Sequence, residues 1–256
     1  VTDLEFGPDG AMYVTTGGRG TQAGRYRVRF TGSASLASKR SPDDERRDKE
    51  AAAARLARKS LEAFHGHVNP QAVDTAWPFL SSDDRWLRHA ARVAIEHQPT
   101  DQWQERALSE KELTAAFESL LALARVGSQE AQSRLVARAI ELKSRDLTAT
   151  QTITLLRAVV VSCARHGVPA ADLVNQLAKS VEKMLPDPST EVNQLACELL
   201  ACLEVPALPE QALGLLAGAK SQEERVHYLY VLRGAKNGWT PALRRKYFRA
   251  LGEANH

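Results

Sequence analysis

The chain has 256 residues, 43% apolar and 25% charged, the proportions of an ordinary soluble globular protein with room for one large domain or two small ones. Its 34 basic and 31 acidic residues leave a net charge of only +3, which supplies no global attraction for nucleic acid or an anionic membrane surface. No stretch approaches the roughly 18 apolar residues that a bilayer span requires, so no membrane span is expected.

Residues 1–32 read as strands. Val1 leads directly into a run in which Leu4 and Phe6 alternate with polar residues, Gly7-Pro8-Asp9-Gly10 supplies a turn, and Met12 and Val14 alternate again. Gly17-Gly18-Arg19-Gly20 is expected to be a loop, and Arg25–Phe30 a third strand with Tyr26, Val28 and Phe30 on one face. The glycine loop is not a phosphate cradle, since neither a helix start nor the P-loop lysine follows it. Asp9 alone is far short of a calcium cage. An isolated hairpin is marginal in water, so the three strands are expected to belong to a larger sheet, and the chain to be a piece of a longer protein. Residues 6–28, with their Phe6-Gly7-Pro8-Asp9-Gly10 and Tyr13-Val14 core, resemble the closing blade of β-propellers related to glucose/sorbosone dehydrogenases. In the pyrroloquinoline-quinone enzymes of that group a basic loop side chain can reach the cofactor. Arg19 is the position that this resemblance would implicate, against the plainer expectation of a solvated loop arginine.

Residues 33–64 read as a connector followed by a long charged helix. Ser41 is a cap, Pro42 sits in the first turn, and Asp43 and Asp44 lie near the positive end of the helix dipole. The helix is expected to run to about Phe64 and to dock its end through Leu56, Leu61 and Phe64. Beyond it, apolar residues recur at spacings of three and four. The stripes are Leu113, Ala116, Phe117, Leu120 and Ala124; Ile153, Leu156, Val160 and Cys163; Leu173, Leu177, Val181 and Met184; Val192, Leu195, Leu199 and Leu203; Leu208, Ala212 and Leu215; and Leu243, Tyr247 and Leu251. Pro70, Pro99, Gly127, Gly167, Pro169, Pro186, Pro206, Pro209 and Gly238 separate them. Short links between such helices imply antiparallel neighbours. Segments 80–95 and 185–200 share an aspartate-containing turn followed by the same alternation of apolar and small residues. Both resemble the second helix of HEAT repeats, in which the aspartate caps the helix. Residues 65–256 are therefore expected to form a HEAT-like α-solenoid, within a mainly α fold class.

Candidate chemistry is sparse. His65-Gly66-His67 could offer two metal ligands, but its place at a helix end fits a C-terminal cap. His89 and His97 fall on one helix face and read as surface or groove histidines. Ser162, Cys163 and His166 imitate a nucleophile and base without an orienting third group. Cys163, Cys197 and Cys202 form no C-x-x-C pair and read as buried small hydrophobes. Arg244, Arg245, Lys246 and Arg249 read as the wet face of an amphipathic helix rather than a nucleic-acid surface. Trp77, Trp86, Trp103 and Trp239 read as packing anchors between repeats. No catalytic, cofactor-binding or metal-binding residue is assigned.

Residues 64–99, 103–108, 117–128 and 222–248 are similar to the middle of large exported bacterial proteins of the putative membrane-bound dehydrogenase type, the block containing Tyr228, Leu232, Arg233 and Gly238-Trp239-Thr240 being the most specific. Those proteins couple a sugar-dehydrogenase-like propeller to a HEAT-like region and a c-type cytochrome. The resemblance implies a periplasmic or exported setting, with haem c and a quinone cofactor on the parent protein rather than on this chain. Its partners would be its own flanking propeller and cytochrome domains, or a separate protein. The expected function is a non-catalytic scaffold between electron donor and acceptor. A general protein-binding solenoid is the alternative, and an independent enzyme comes last.

Overall fold

In a computed structural model the protein is described at residues 2–7, 9–18, 20–32, 41–144 and 146–253. The chain divides into two compact units, Val1–Glu50 and Ala51–His256. The described residues form twelve α-helices and a small antiparallel sheet, so the chain is mainly α.

The sheet has strands β1 (Asp3–Phe6), β2 (Met12–Gly18) and β3 (Thr21–Val28), in that order. Its turn closes as the sequence implies. Gly7 N–H donates to Ala11 O at 2.9 Å, Asp9 Oδ1 accepts from Ala11 N–H at 3.2 Å, and Gly10 takes the left-handed conformation (φ 73°) that glycine tolerates. Leu4 pairs with Val14, Phe6 with Met12, Met12 with Val28 and Val14 with Tyr26, which puts the apolar side chains on one face. That face is open: Leu4, Phe6, Tyr26 and Val28 are all exposed. The third strand differs from expectation. It starts at Thr21 and ends before Phe30, because Gly17 and Gly18 join β2 and a register shift between Thr16 and Gly18 brings Gly18 opposite Thr21. Arg19, Pro8 and the Ser33–Ser35 connector lie outside the described residues.

Helix α1 (Pro42–Glu62) opens on a reciprocal cap: Asp44 N–H donates to Ser41 Oγ at 3.2 Å while Ser41 N–H donates to Asp44 Oδ2 at 2.9 Å. Of the three residues expected to dock its end, Leu61 is fully buried and Phe64 packs on the core, but Leu56 is exposed, since it sits on the opposite side of the helix from Leu61.

There follow α2 (Ala72–Ala76), a 3-10 turn at Trp77–Ser81, α3 (Arg85–Glu96), a second 3-10 turn at Thr100–Gln102, α4 (Gln104–Ser109), α5 (Leu113–Val126), α6 (Gln129–Lys143), α7 (Ala149–His166), α8 (Ala171–Glu182), α9 (Thr190–Cys202), α10 (Leu208–Gly218), α11 (Gln222–Arg233) and α12 (Pro241–Glu253). The expected breakers lie outside these helices except Pro209, which occupies the first turn of α10, where a missing N–H costs nothing. Asp84 caps α3, accepting from Trp86 N–H at 2.8 Å. The corresponding aspartate of segment 185–200 does not cap its helix. Ser189 caps α9, and Asp187 instead accepts from Ser189 N–H at 2.8 Å. Helix α7 starts with a full capping box, Thr148 with Gln151, and ends at Gly167 with φ 82°.

In the second unit, α3 packs on α5, α5 on α7, α7 on α9, and α9 on α11. The intervening helices pack alongside: α4 against α5 and α6, α6 against α7 and α8, α8 against α9, and α10 against α9, α11 and α12. One continuous apolar core runs through all of them, from Leu61 to Leu232. Helix α5 lies at its centre. From Ala115 to Ala124 every residue but Glu118 is buried, so the expected single stripe is in fact almost a full circumference. At the other extreme α12 has no fully buried residue. Leu243, Tyr247 and Ala250 face the core, while Leu251, expected in that stripe, is exposed because Ala250 takes the inward position one residue earlier. Among the described residues no helix is long and apolar enough to cross a membrane.

Candidate functional site: an arginine-lined groove

Helices α3, α5 and α7 each turn one polar stripe to the same side. On α3 the residues are Arg85, Arg88, His89, Arg92 and Glu96, at helical spacings of three and four, opposite the buried Ala90, Ala91, Ala94 and Ile95. On α5 it is Glu118, with Leu121 and Arg125 one and two turns on. On α7 it is Thr150, Thr154 and Arg157. Between them lie two adjoining cavities of about 250 and 200 Å³, which share Arg88, Glu118 and Thr154 in their walls. Asp83, Phe117 and Gln151 line the second.

The charges in this groove are held rather than loose. Glu118 lies 3.4 Å from Arg88 and 3.3 Å from Arg92, and Glu96 lies 3.2 Å from Arg92 and 2.9 Å from Arg125. Three guanidinium groups thus share two carboxylates. Side-chain exposures of 12% for Arg92, 16% for Glu118 and 7% for Glu96 mean that water screens this network poorly. Arg88 is also anchored by donating to the Ser82 and Asp83 carbonyls at 2.6 and 3.1 Å. Arg92 Nη2 stands 3.0 Å from His89 Nδ1, and a guanidinium can only donate, which puts the His89 ring proton on Nε2. Arg85 and Arg157 have no carboxylate partner among the described residues. Arg85 stacks over the exposed Trp86 ring at 4.5 Å, and Arg157 is exposed on α7.

A wider cavity, about 600 Å³ between α10 and α12, carries both signs of charge. Arg225, Lys246 and Arg249 face Glu210 and Glu253 over an apolar floor, and Arg225 already pairs with Glu253.

Other sequence candidates resolve into structural roles. His65 Nε2 bonds Ala90 O at 2.9 Å, the His65 and His97 rings stack at 5.9 Å, and Gly66 takes φ 82°, so the His-Gly-His segment ends the first helix and clamps it to α3. His97 Nδ1 bonds its own helix at Val93 O; His89 and His97 do not form a relay. Ser162 is buried and its hydroxyl has no hydrogen-bond partner among the described residues, so no base activates it. Trp77 and Trp103 are packing anchors, donating to Glu110 Oε2 at 2.7 Å and Gln98 O at 3.3 Å, and Trp239 packs edge-on against Tyr247. Trp86 is not an anchor: it is exposed beside the groove, in the first turn of α3 at the flank of its buried face.

Cys163 and Cys202, from α7 and α9, meet. The hydrogen bond with Cys202 and burial push the Cys163 thiol up, while the same bond, with Cys163 donating, lowers Cys202 to about 7. Burial pushes Cys197 up to about 12. No group of three metal-ligating His, Cys, Asp or Glu side chains occurs among the described residues. The three cysteines lie inside helices without the haem-attachment spacing, and Asp9 is committed to Ala11, Tyr13 and Arg27. The spacing of Arg85, Arg88 and Arg92 is legible in sequence, but Glu118 and Arg157 join them only through helix packing. Comparison with protein-family models, curated proteins and solved structures finds no match to this chain.

Proposed function

We propose that residues 65–253 are a non-catalytic helical scaffold, a HEAT-like solenoid of antiparallel helix pairs that holds partner modules in place. The observation that carries this reading is the packing order. Every second helix from α3 to α11 touches the next member of its own row, and the intervening helices back that row, as expected for stacked helix pairs sharing one core. On this reading the sheet of residues 3–28 is a propeller blade whose open apolar face, with Leu4, Phe6, Tyr26 and Val28, is covered by neighbouring strands. The electron-transfer version, a spacer between a dehydrogenase-like propeller and a c-type cytochrome in an exported protein, rests on the resemblance of residues 6–28, 64–99 and 222–248.

The test is to compare electron transfer in the longer protein with and without residues 65–253. A large fall in the rate of haem reduction supports the spacer role, and an unchanged rate refutes it. A second reading, a docking solenoid for a separate protein, is favoured by the arginine-lined groove, in which Arg85 and Arg157 have no carboxylate partner among the described residues.

A further inference from the structure

We propose that the groove between α3, α5 and α7 receives an extended acidic segment of a polypeptide partner. This deepens the scaffold reading and rests on it. Three features select that ligand. The first is sign: among the described residues Arg85, Arg88, Arg92 and Arg157 line the first cavity with Glu118 as its one carboxylate, so that cavity is cationic in a chain that is nearly neutral overall.

The second is distribution. Glu118 already occupies the point where Arg88 and Arg92 converge, on the middle helix of the three. A compact dianion placed there would meet a carboxylate. The unsatisfied cations, Arg85 and Arg157, belong to the helices on either side. Carboxylates spaced along a chain can pair with both and straddle Glu118, which a single phosphate cannot.

The third is shape and lining. The groove continues into a second cavity walled by Ser82, Thr114, Thr150 and Thr154, whose hydroxyls face a peptide backbone, and by Asp83, so the carboxylates of the segment belong in the first cavity and its uncharged part in the second, over Phe117. Trp86 with its stacked Arg85 stands at the margin as an amphipathic contact. Because Arg88 and Arg92 are fixed before any ligand arrives, little side-chain freedom is lost on binding.

The experiment titrates the full chain with a short peptide of alternating glutamate and serine, followed by tryptophan fluorescence and calorimetry, with an alternating glutamine–serine peptide and inorganic phosphate as parallel probes. Saturable binding of the acidic peptide, weakened by added salt and by roughly fivefold for each of Arg85→Gln and Arg157→Gln, supports the proposal. Both arginines lie outside the ion-pair network, so these variants are expected to fold, and circular dichroism checks that they do. Lys246→Gln on α12 serves as a distant control. Equal weakening by that substitution, binding of the glutamine–serine peptide as tightly, binding of phosphate but not peptide, or no binding at all each overturns the acidic-segment assignment. None of these outcomes touches the spacer reading, which the deletion experiment tests by electron transfer rather than by peptide binding.

Discussion

The sheet of residues 3–28 and the helical unit beyond residue 50 carry equally regular apolar patterns, yet only one of them has a core. In the sheet, Leu4, Phe6, Tyr26 and Val28 line up across the strands and remain exposed, and a small polar cluster around Asp9 secures the turn. In the helical unit the same kind of regularity ends in a continuous apolar interior, with Phe117, Leu120 and Leu155 sealed from water. A periodic pattern fixes which side of an element is apolar. Whether that side gains hydrophobic stabilisation depends on a second surface arriving to cover it. The helical unit repeats the lesson internally: α5 is covered almost all round, and α12, at the edge of the packing, keeps Phe248 and Leu251 exposed.

The contrast is broken most forcefully by truncation. Phe117→Ala should cost about 3–5 kcal/mol in urea unfolding of the full chain, by the cavity it leaves, whereas Phe6→Ala should change stability by no more than about 0.5 kcal/mol. A large loss from Phe6→Ala would show that the sheet face is covered after all. Next comes a backbone test. Gly238 has φ 78°, and a Cβ there would lie 1.7 Å from the Pro206 carbonyl oxygen, against which the 236–239 loop docks through Asn237 and Glu204 O. Gly238→Ala is expected to cost about 2–3 kcal/mol, while Gly10→Ala, strained in φ but with open space around it, should cost about 1 kcal/mol; thermal unfolding distinguishes the two.

Buried polar groups sharpen the comparison at an intermediate scale. Gln98 accepts from Asn69 N–H at 2.8 Å and donates to Ala94 O and His67 O, clamping the loop before α2 to the end of α3. Gln98→Leu strands those backbone groups, and a loss of about 1–3 kcal/mol is expected in the same unfolding measurement. The thiol pair gives a kinetic readout. Removing the donor with Cys163→Ala should raise the Cys202 pKa and slow its alkylation by iodoacetamide at pH 7 by roughly tenfold, since only the thiolate reacts. An unchanged rate would mean that the two thiols do not share a proton.

The smallest effect belongs to the sheet. The Ala11 N–H and then the Arg27 guanidinium hold the Asp9 carboxyl below its ordinary value. A depressed carboxylate contributes stability above that ordinary value and loses it as pH falls through the lower, folded one. The protection of the Ala11 amide, its exchange rate compared with the intrinsic rate at the same pH, should therefore fall on acidification below about pH 4, the ordinary aspartate range, and Asp9→Asn should flatten that dependence.

Much of this fold is written in the sequence. The caps at Ser41, Asp84 and Thr148, the left-handed glycines 10, 66 and 167, and the apolar faces of α7 and α9 all follow from local rules, because each depends on residues within a turn or two of one another. The tertiary structure decided what no local rule contains. It set which apolar faces are covered, leaving Leu56, Trp86 and Leu251 in water, and brought Cys163 to Cys202. It also closed Gln98, Gln132 and Asn193 onto distant or neighbouring loops. Above all it placed Glu118 and Arg157 beside the α3 arginines, joining three separate stripes into one cationic groove. Periodicity gives a side chain its direction, but a site needs side chains from several helices to converge, and convergence is a property of packing.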